Sequence, residues 1–423
     1  MRAGVNGLPL LMALTAVGVA GCNNNATSNQ QKAPATSPNP FQISPQFTNA
    51  TPFSEGVAAV EIGDEKTGKW GFIDKAGAFV ITAQFAGVQP FSDGLAAVLV
   101  GGFHGKWGFI DKQGHYIIAP QFDGVWSPGF VDGLARVEVG GTILELETGI
   151  IDKNGNFRLP PTYDYISEFS EGLAVGSFTN FDSKHWRGPR YIDSHGNIVL
   201  VPKAAGVGPF HNGLAFASIR DGNTLKFGYI NRQGNFVIPP VYNFSFRFKD
   251  GYAQAGMGTT ESLTDGSARF GFINQKGEVA IPLHFSEVLD FSEGMAAVRI
   301  GDDKTGQWGF IDTDGKFVIN PRFAEVSEFA EGLAAATEDG KKWGFINKSG
   351  AFAIAPAYDR TATFAGGYAD VAIKHGDHLT WGIINTNGVL VVQPISDEFI
   401  TFSEEMAAVK VNGKFGYIKS PTS

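Results

Sequence analysis

Apolar and polar side chains alternate in short runs along most of this chain, and glycine or proline interrupts them every few residues. In Trp70-Gly71-Phe72-Ile73-Asp74 the period is two, which puts Trp70 and Phe72 on one side of an extended strand and Ile73 on the other. Asp74-Lys75-Ala76-Gly77 follows, with an Asp able to accept hydrogen bonds from the turn backbone and a Gly suited to positive φ, and predicts a hairpin. The same turn recurs at Asp111 to Gly114, Asn231 to Gly234, Asp312 to Gly315 and Asn385 to Gly388. The second strand is Phe79-Val80-Ile81. Several copies end it with proline, at Pro120, Pro160, Pro239, Pro282 and Pro356, where a ladder donor is missing. A loop, Gln84-Phe85-Ala86-Gly87-Val88, leads to Phe91, and Asp93-Gly94 turns the chain into a third strand, Leu95-Ala96-Ala97-Val98, whose small alanines predict close packing.

Two phrases alternate to the end of the chain. One is FSEGLAAV, at Phe53, Phe91, Phe130, Phe169, Phe210, Phe248, Phe291, Phe329, Phe364 and Phe402, spaced 35 to 43 residues apart. The other is KWGFIDKxGxFVI, with aromatic-Gly pairs at Trp70-Gly71, Trp107-Gly108, Phe227-Gly228, Phe270-Gly271, Trp308-Gly309, Trp343-Gly344, Trp381-Gly382 and Phe415-Gly416. Thr148-Gly149 and Pro189-Arg190, which open Thr148 to Asp152 and Pro189 to Asp193, are worn copies, and the units around them are expected to be distorted.

These alternating phrases resemble the WG-repeat proteins of bacteria, over Phe41 to Lys419. The resemblance implies a β-rich repeat fold, often exported, and brings no catalytic residues with it. One unit is too small to bury its own aromatic face, so neighbours must share a core. The expectation is an all-β tandem array of about ten three-stranded units, open and curved, with a closed propeller-like ring as the alternative. The ends bear on that choice. Phe41 to Phe47 repeats Phe79 to Phe85 without a preceding hairpin strand, and Lys414 to Lys419 is a first hairpin strand without its partner. In a ring the two could pair.

Composition sharpens this reading. The chain has 55 Gly and 36 Phe against 5 Met and a single Cys, Cys22. Residues 1–21 read as an export signal: Arg2, an apolar run from Leu8 to Ala20 too short to span a bilayer, then small residues. Val19-Ala20-Gly21-Cys22 resembles a lipobox, which implies cleavage before Cys22 and a lipid on its sulfur. Residues 22–40 form a polar tether, 41–419 the repeat array and 420–423 a tail. The expected location is the bacterial cell envelope, anchored to a membrane through the lipid, with the folded part extracytoplasmic. Without Arg2 the chain carries 32 basic and 42 acidic residues and no basic block, which argues against a nucleic-acid partner.

The recurring acids, Asp74, Asp111, Asp152, Asp193 and Asp312, stand at turn positions in unit after unit and are read as turn caps rather than catalytic pairs. Glu55, Asp93, Glu171, Glu293 and Glu331 receive the same structural reading. His375-Gly376-Asp377-His378 reads as a solvated hairpin tip rather than a metal site, and Asp312-Thr313-Asp314-Gly315 as an ordinary turn. No catalytic residue, metal ligand or cofactor site is assigned. Departures from the repeat are better candidates for function, because the core does not dictate them. One is a loop carrying Phe181, His185, Trp186 and Arg187, residue types suited to partner contact; the other is the polar stretch from Gly256 to Arg269. The reading that follows is a non-catalytic scaffold for a protein or glycan partner. The alternative is an envelope hydrolase with turn acids converging in a closed ring.

Overall fold

In the computed structural model, which describes residues 40–64, 66–140, 146–177, 188–259, 262, 267–302 and 305–420, the alternating runs form strands of ten antiparallel four-stranded sheets. The first sheet runs Asn49–Ala50, Ala58–Ile62, Lys69–Ile73 and Phe79–Phe85, in that order. Eight more repeat the pattern. The tenth is assembled from both ends of the array: Phe402–Ser403, Met406–Val411 and Lys414–Lys419 are completed by Phe41–Phe47, which pairs antiparallel with Lys414–Lys419.

This overturns the expected open array of three-stranded units; the molecule is a closed ring of ten four-stranded blades, a β-propeller. The unit was one strand short because its first strand is only two residues long, Gly87–Val88 in the second blade, and lies inside the segment read as a loop. No alternation can register over two residues. The ring closes because Phe41–Phe47 supplies the partner that the last hairpin strand lacks, so Lys414–Lys419 is paired on both sides like the third strand of every other blade.

The shared core follows. Each sheet is sandwiched between two others, so both faces of its third strand are buried: Phe72 packs toward the second blade with Phe91 and Val98, and Ile73 toward the tenth with Phe53 and Tyr417. There is one apolar cluster for each of the ten junctions. An open row of ten sheets would have only nine. At the closing junction Phe53 and Tyr417 meet edge to face at 5.0 Å, as Phe72 and Phe91 do at 4.9 Å between the first two blades.

The glycine after each tryptophan has a steric cause. A Cβ at Gly309 would lie 2.5 Å from the Ile319 carbonyl oxygen and 2.7 Å from the Pro321 nitrogen, because the fourth strand bulges across the third at this point. Proline does not end the fourth strand, contrary to the sequence reading. Tyr116–Phe122 runs through Pro120, which sits in that bulge where no ladder donor is called for. The fourth blade shows the converse. Arg190 occupies the glycine position, and its fourth strand is reduced to Ile198–Leu200. The third blade keeps Gly149 and a full seven-residue strand, Phe157–Tyr163. Of the two units expected to be distorted, only the fourth blade has lost fourth-strand length.

Candidate binding site

The acids of both phrases are structural, in two different ways. Asp74 Oδ1 accepts from the amides of Ala76 and Ala78, both at 2.9 Å, and the equivalent Asp or Asn does the same in all nine intact hairpin turns. Asp312 to Gly315 is one of these turns. His375 to His378 is an exposed hairpin tip, with His378 Nε2 3.1 Å from Asp397. The FSEG acids act between blades. Glu55, at φ 53°, is followed by Gly56 at φ 88°, a tight turn in which both central residues are left-handed. Its carboxylate accepts from the Gly94 amide of the next blade at 3.0 Å and lies 3.3 Å from Lys112 Nζ. We call this contact a latch.

Latches join blades 10 and 1 (Glu404 to Gly56), 1 and 2, 2 and 3 (Asp93 to Gly133), 4 and 5 (Glu171 to Gly213), 7 and 8 (Glu293 to Gly332), and 8 and 9 (Glu331 to Gly367). At the junction between blades 2 and 3, the Lys153 ammonium beside Asp93 holds its carboxyl below the usual carboxylate range. The bond is not made at junctions 3/4, 5/6, 6/7 and 9/10. One repeat position tracks the difference. The second alanine of LAAV faces the next blade, and it is Ala59, Ala97, Ala297, Ala335 and Ala408, or Val175, wherever a latch forms. Where none forms it is Arg136, Phe216, Gln254 or Asp370. Arg136, Phe216 and Gln254 are larger than any residue at a latched junction and stand as wedges between two sheets, whereas junction 9/10 lacks the acid of a latch.

At junction 3/4 this wedge opens a cavity of about 610 Å³ between the unlatched turns, lined by Pro128, Asp132, Leu134, Arg136, Glu168 and Glu171 among others. Arg136 stands on the second strand, Leu134–Val139, and only 12 % of its side chain is exposed. It donates to the carbonyl oxygens of Ile166 at 3.0 Å and Ser127 at 3.2 Å, and Glu168 lies 3.5 Å away. Burial pushes its guanidinium down, though it remains a cation at neutral pH. Its charge sits 5.6 Å from the Trp126 ring, and Trp126 meets Tyr165 edge to face at 5.3 Å. Two residues inserted before Phe130 make room for Trp126. The first strand of this blade is Gly124–Val131 instead of the usual pair, and the Ser127–Pro128 peptide is cis. Ser194 stands where Lys75, Lys112, Lys153, Arg232 and Lys348 face the preceding blade's acid, so among the described residues Asp132 has neither a latch amide nor a cation.

Arg136 and the three carboxylates of Asp132, Glu168 and Glu171 around a concave surface can hold a polar ligand by charge and hydrogen bonding together, with the Trp126 ring set against the guanidinium. The sequence reading missed this cluster. The signal was present, as LARV in place of LAAV and as the added residues in VWSPGF. Cys22 and the loop residues Phe181, His185, Trp186 and Arg187 lie outside the described residues. That loop joins Leu173–Ser177 to Arg190–Asp193, the second and third strands of the fourth blade. The stretch from Gly256 to Arg269 occupies the equivalent connection of the sixth blade, where Ser262 and Thr259 hydrogen-bond each other.

A closed ring of four-stranded blades, fastened by turns that reach from one blade to the next and opened at selected junctions, defines a repeat-built β-propeller. The chain belongs to the WG containing repeat family, whose pattern matches residues 43–65, 70–102, 107–142, 149–175, 190–222, 227–258, 270–303, 308–341, 343–374 and 381–415. No curated protein matches it in sequence. Among solved structures it is similar to apo AztD from Citrobacter koseri, at 12 % identity and a TM-score of 0.35 over 87 % of this chain and 95 % of that one. It is also similar to the S511A mutant of puromycin hydrolase complexed with PGG, at 12 % identity and a TM-score of 0.34, over 66 % of this chain and 57 % of that one. The uncharacterized protein lmo1340 from Listeria monocytogenes EGD-e matches at 9 % identity and a TM-score of 0.30, over 73 % of this chain and 94 % of that one.

Proposed function

We propose that this propeller is a non-catalytic binding module of the bacterial cell envelope, tethered to a membrane by lipid on Cys22, and that the junction between blades 3 and 4 receives a protein or glycan partner. The observation that carries the reading is the unlatched wedge, where Arg136, Asp132 and Glu168 line a cavity, with Trp126 against the Arg136 guanidinium, while the repeated acids of other junctions serve turns and latches. Binding sites on repeat scaffolds sit where the repeat is broken, because elsewhere each side chain answers to packing.

A closed ring satisfies the geometric premise of the hydrolase alternative. The hairpin acids accept from their own turn amides, which supports a structural role for them, and binding is the reading we propose. The test is capture of envelope proteins and glycans on the immobilised 22–423 chain, comparing wild type with Trp126→Ala and Arg136→Met. The reading expects one partner whose retention falls at least tenfold in both variants. Equal retention, with both variants folded, would place binding elsewhere. Membrane attachment is tested separately by Cys22→Ser, which should move the protein from the membrane to the soluble fraction.

A further inference from the structure

The junction between blades 9 and 10 departs from the repeat in three ways at once. First, Asp370 takes the alanine position on the second strand, Tyr368–His375, and faces the next blade. Second, the turn after Phe364 is Ala365-Gly366-Gly367, with no acid to form a latch, and Glu405 replaces the glycine that would donate to one. Third, the tenth blade lacks the usual two-residue first strand beside residue 400, and its Phe402–Ser403 pair forms the turn instead. The irregular segment bends inward, and the Ile400 amide donates to Asp370 Oδ1 at 2.9 Å.

The result is a cavity of about 400 Å³ lined by Asp370, Tyr368, Phe402, Thr363, Thr401 and Ile383 among others. The Tyr368 and Phe402 rings stand 6.2 Å apart on its wall. Among the described residues no Lys, Arg or His lines it, and Tyr368 is the one other ionisable side chain that does. A desolvated carboxylate with a single backbone donor lacks the counter-charge that buried acids ordinarily have. Burial accordingly pushes the Asp370 carboxyl up to about 6.

We propose that this cavity binds a small organic cation, with its ammonium group against the Asp370 carboxylate and its alkyl part against the Tyr368 and Phe402 rings. The carboxylate supplies the charge, and the ring faces stabilise a cation that is only partly hydrated. Hydroxyls of Thr363 and Thr401 can accept from an ammonium N–H or meet a ligand hydroxyl. The set is a poor one for calcium, which takes six to eight oxygens and usually several carboxylates. Nothing in this argument depends on the junction between blades 3 and 4.

Calorimetric titration of the 22–423 chain at pH 7.5 tests it with choline, n-butylammonium, the neutral choline isostere 3,3-dimethylbutan-1-ol, and calcium chloride. Saturable heat is expected from both ammonium compounds and none from the alcohol or calcium. Asp370→Asn keeps an acceptor for the Ile400 amide, so it should fold, and it should weaken ammonium binding at least tenfold. Arg136→Met should leave ammonium binding unchanged. Equal binding of the alcohol, saturable heat from calcium alone, unaltered ammonium binding in Asp370→Asn, or no ammonium heat at all would each overturn the proposal.

Discussion

Phe53 is the aromatic residue on which ring closure can be weighed. It belongs to the first blade, yet it is 1 % exposed because Tyr417, Met406 and Ile43 of the tenth blade cover it. Phe291 is its equivalent inside the array, also 1 % exposed and paired with Phe272 at 4.7 Å. Truncating a buried phenylalanine to alanine costs about 3–5 kcal/mol, from lost transfer energy plus the cavity left behind. The aromatic pair accounts for roughly 1 kcal/mol of that. In a closed ring the two sites are equivalent, so Phe53→Ala and Phe291→Ala should destabilise by amounts that agree to within about 1 kcal/mol. In an open array Phe53 would lie on the first face, half exposed, and its removal would cost about 1 kcal/mol or less. Guanidinium denaturation followed by tryptophan fluorescence and circular dichroism gives both numbers. A Phe53→Ala cost below half that of Phe291→Ala would refute the reasoning.

Further outcomes follow from single contacts. Gly309→Ala should cost more than about 3 kcal/mol or prevent folding, since the new Cβ meets backbone at 2.5 Å, whereas Gly294→Ala, in open space at φ 83°, should cost about 1 kcal/mol in the same denaturation assay. Asp370→Asn should raise stability by about 2 kcal/mol at pH 7.5. The sign follows from a folded carboxyl at about 6 against an ordinary 3.8: the penalty is absent below the lower value, grows as pH rises between the two, and is complete above the upper one. Melting curves of the two proteins should therefore converge near pH 3.5, and a gap that persists there would contradict the assignment. Ammonium binding needs the same charged carboxylate, so it should fade as pH drops below about 6.

The repeated parts of this fold were legible and the singular parts were not. Phe72, Ile73, Ala96 and Phe91 announce their burial by recurring at fixed spacing, and the same recurrence marks Asp74 as a turn cap. The two-residue first strand had no pattern to show. Glu55 was recognised as structural, but its partner lies 39 residues away on another blade, and the LAAV spacing does not disclose that contact. Whether the ends join was also undecidable from local pattern, because the same half-hairpins at Phe41 and Lys419 suit a capped array. Arg136 and Asp370 were missed for another reason. The alanine position was read for what it shared between units, when its substitutions mark the junctions that lack a latch.

The closed ring is tested most directly by the distance between its ends. Thr48 and Lys414 lie beside each other, with Lys414 Nζ 3.2 Å from Thr48 Oγ1, although 366 residues separate them in the chain. Spin labels at Thr48→Cys and Lys414→Cys, in a Cys22→Ser background, should give one narrow distance below about 20 Å by electron–electron double resonance. Sheets packed face to face stand about 10 Å apart, so ten of them in an extended array would separate the labels by several tens of ångströms. A distribution centred there would contradict the ring.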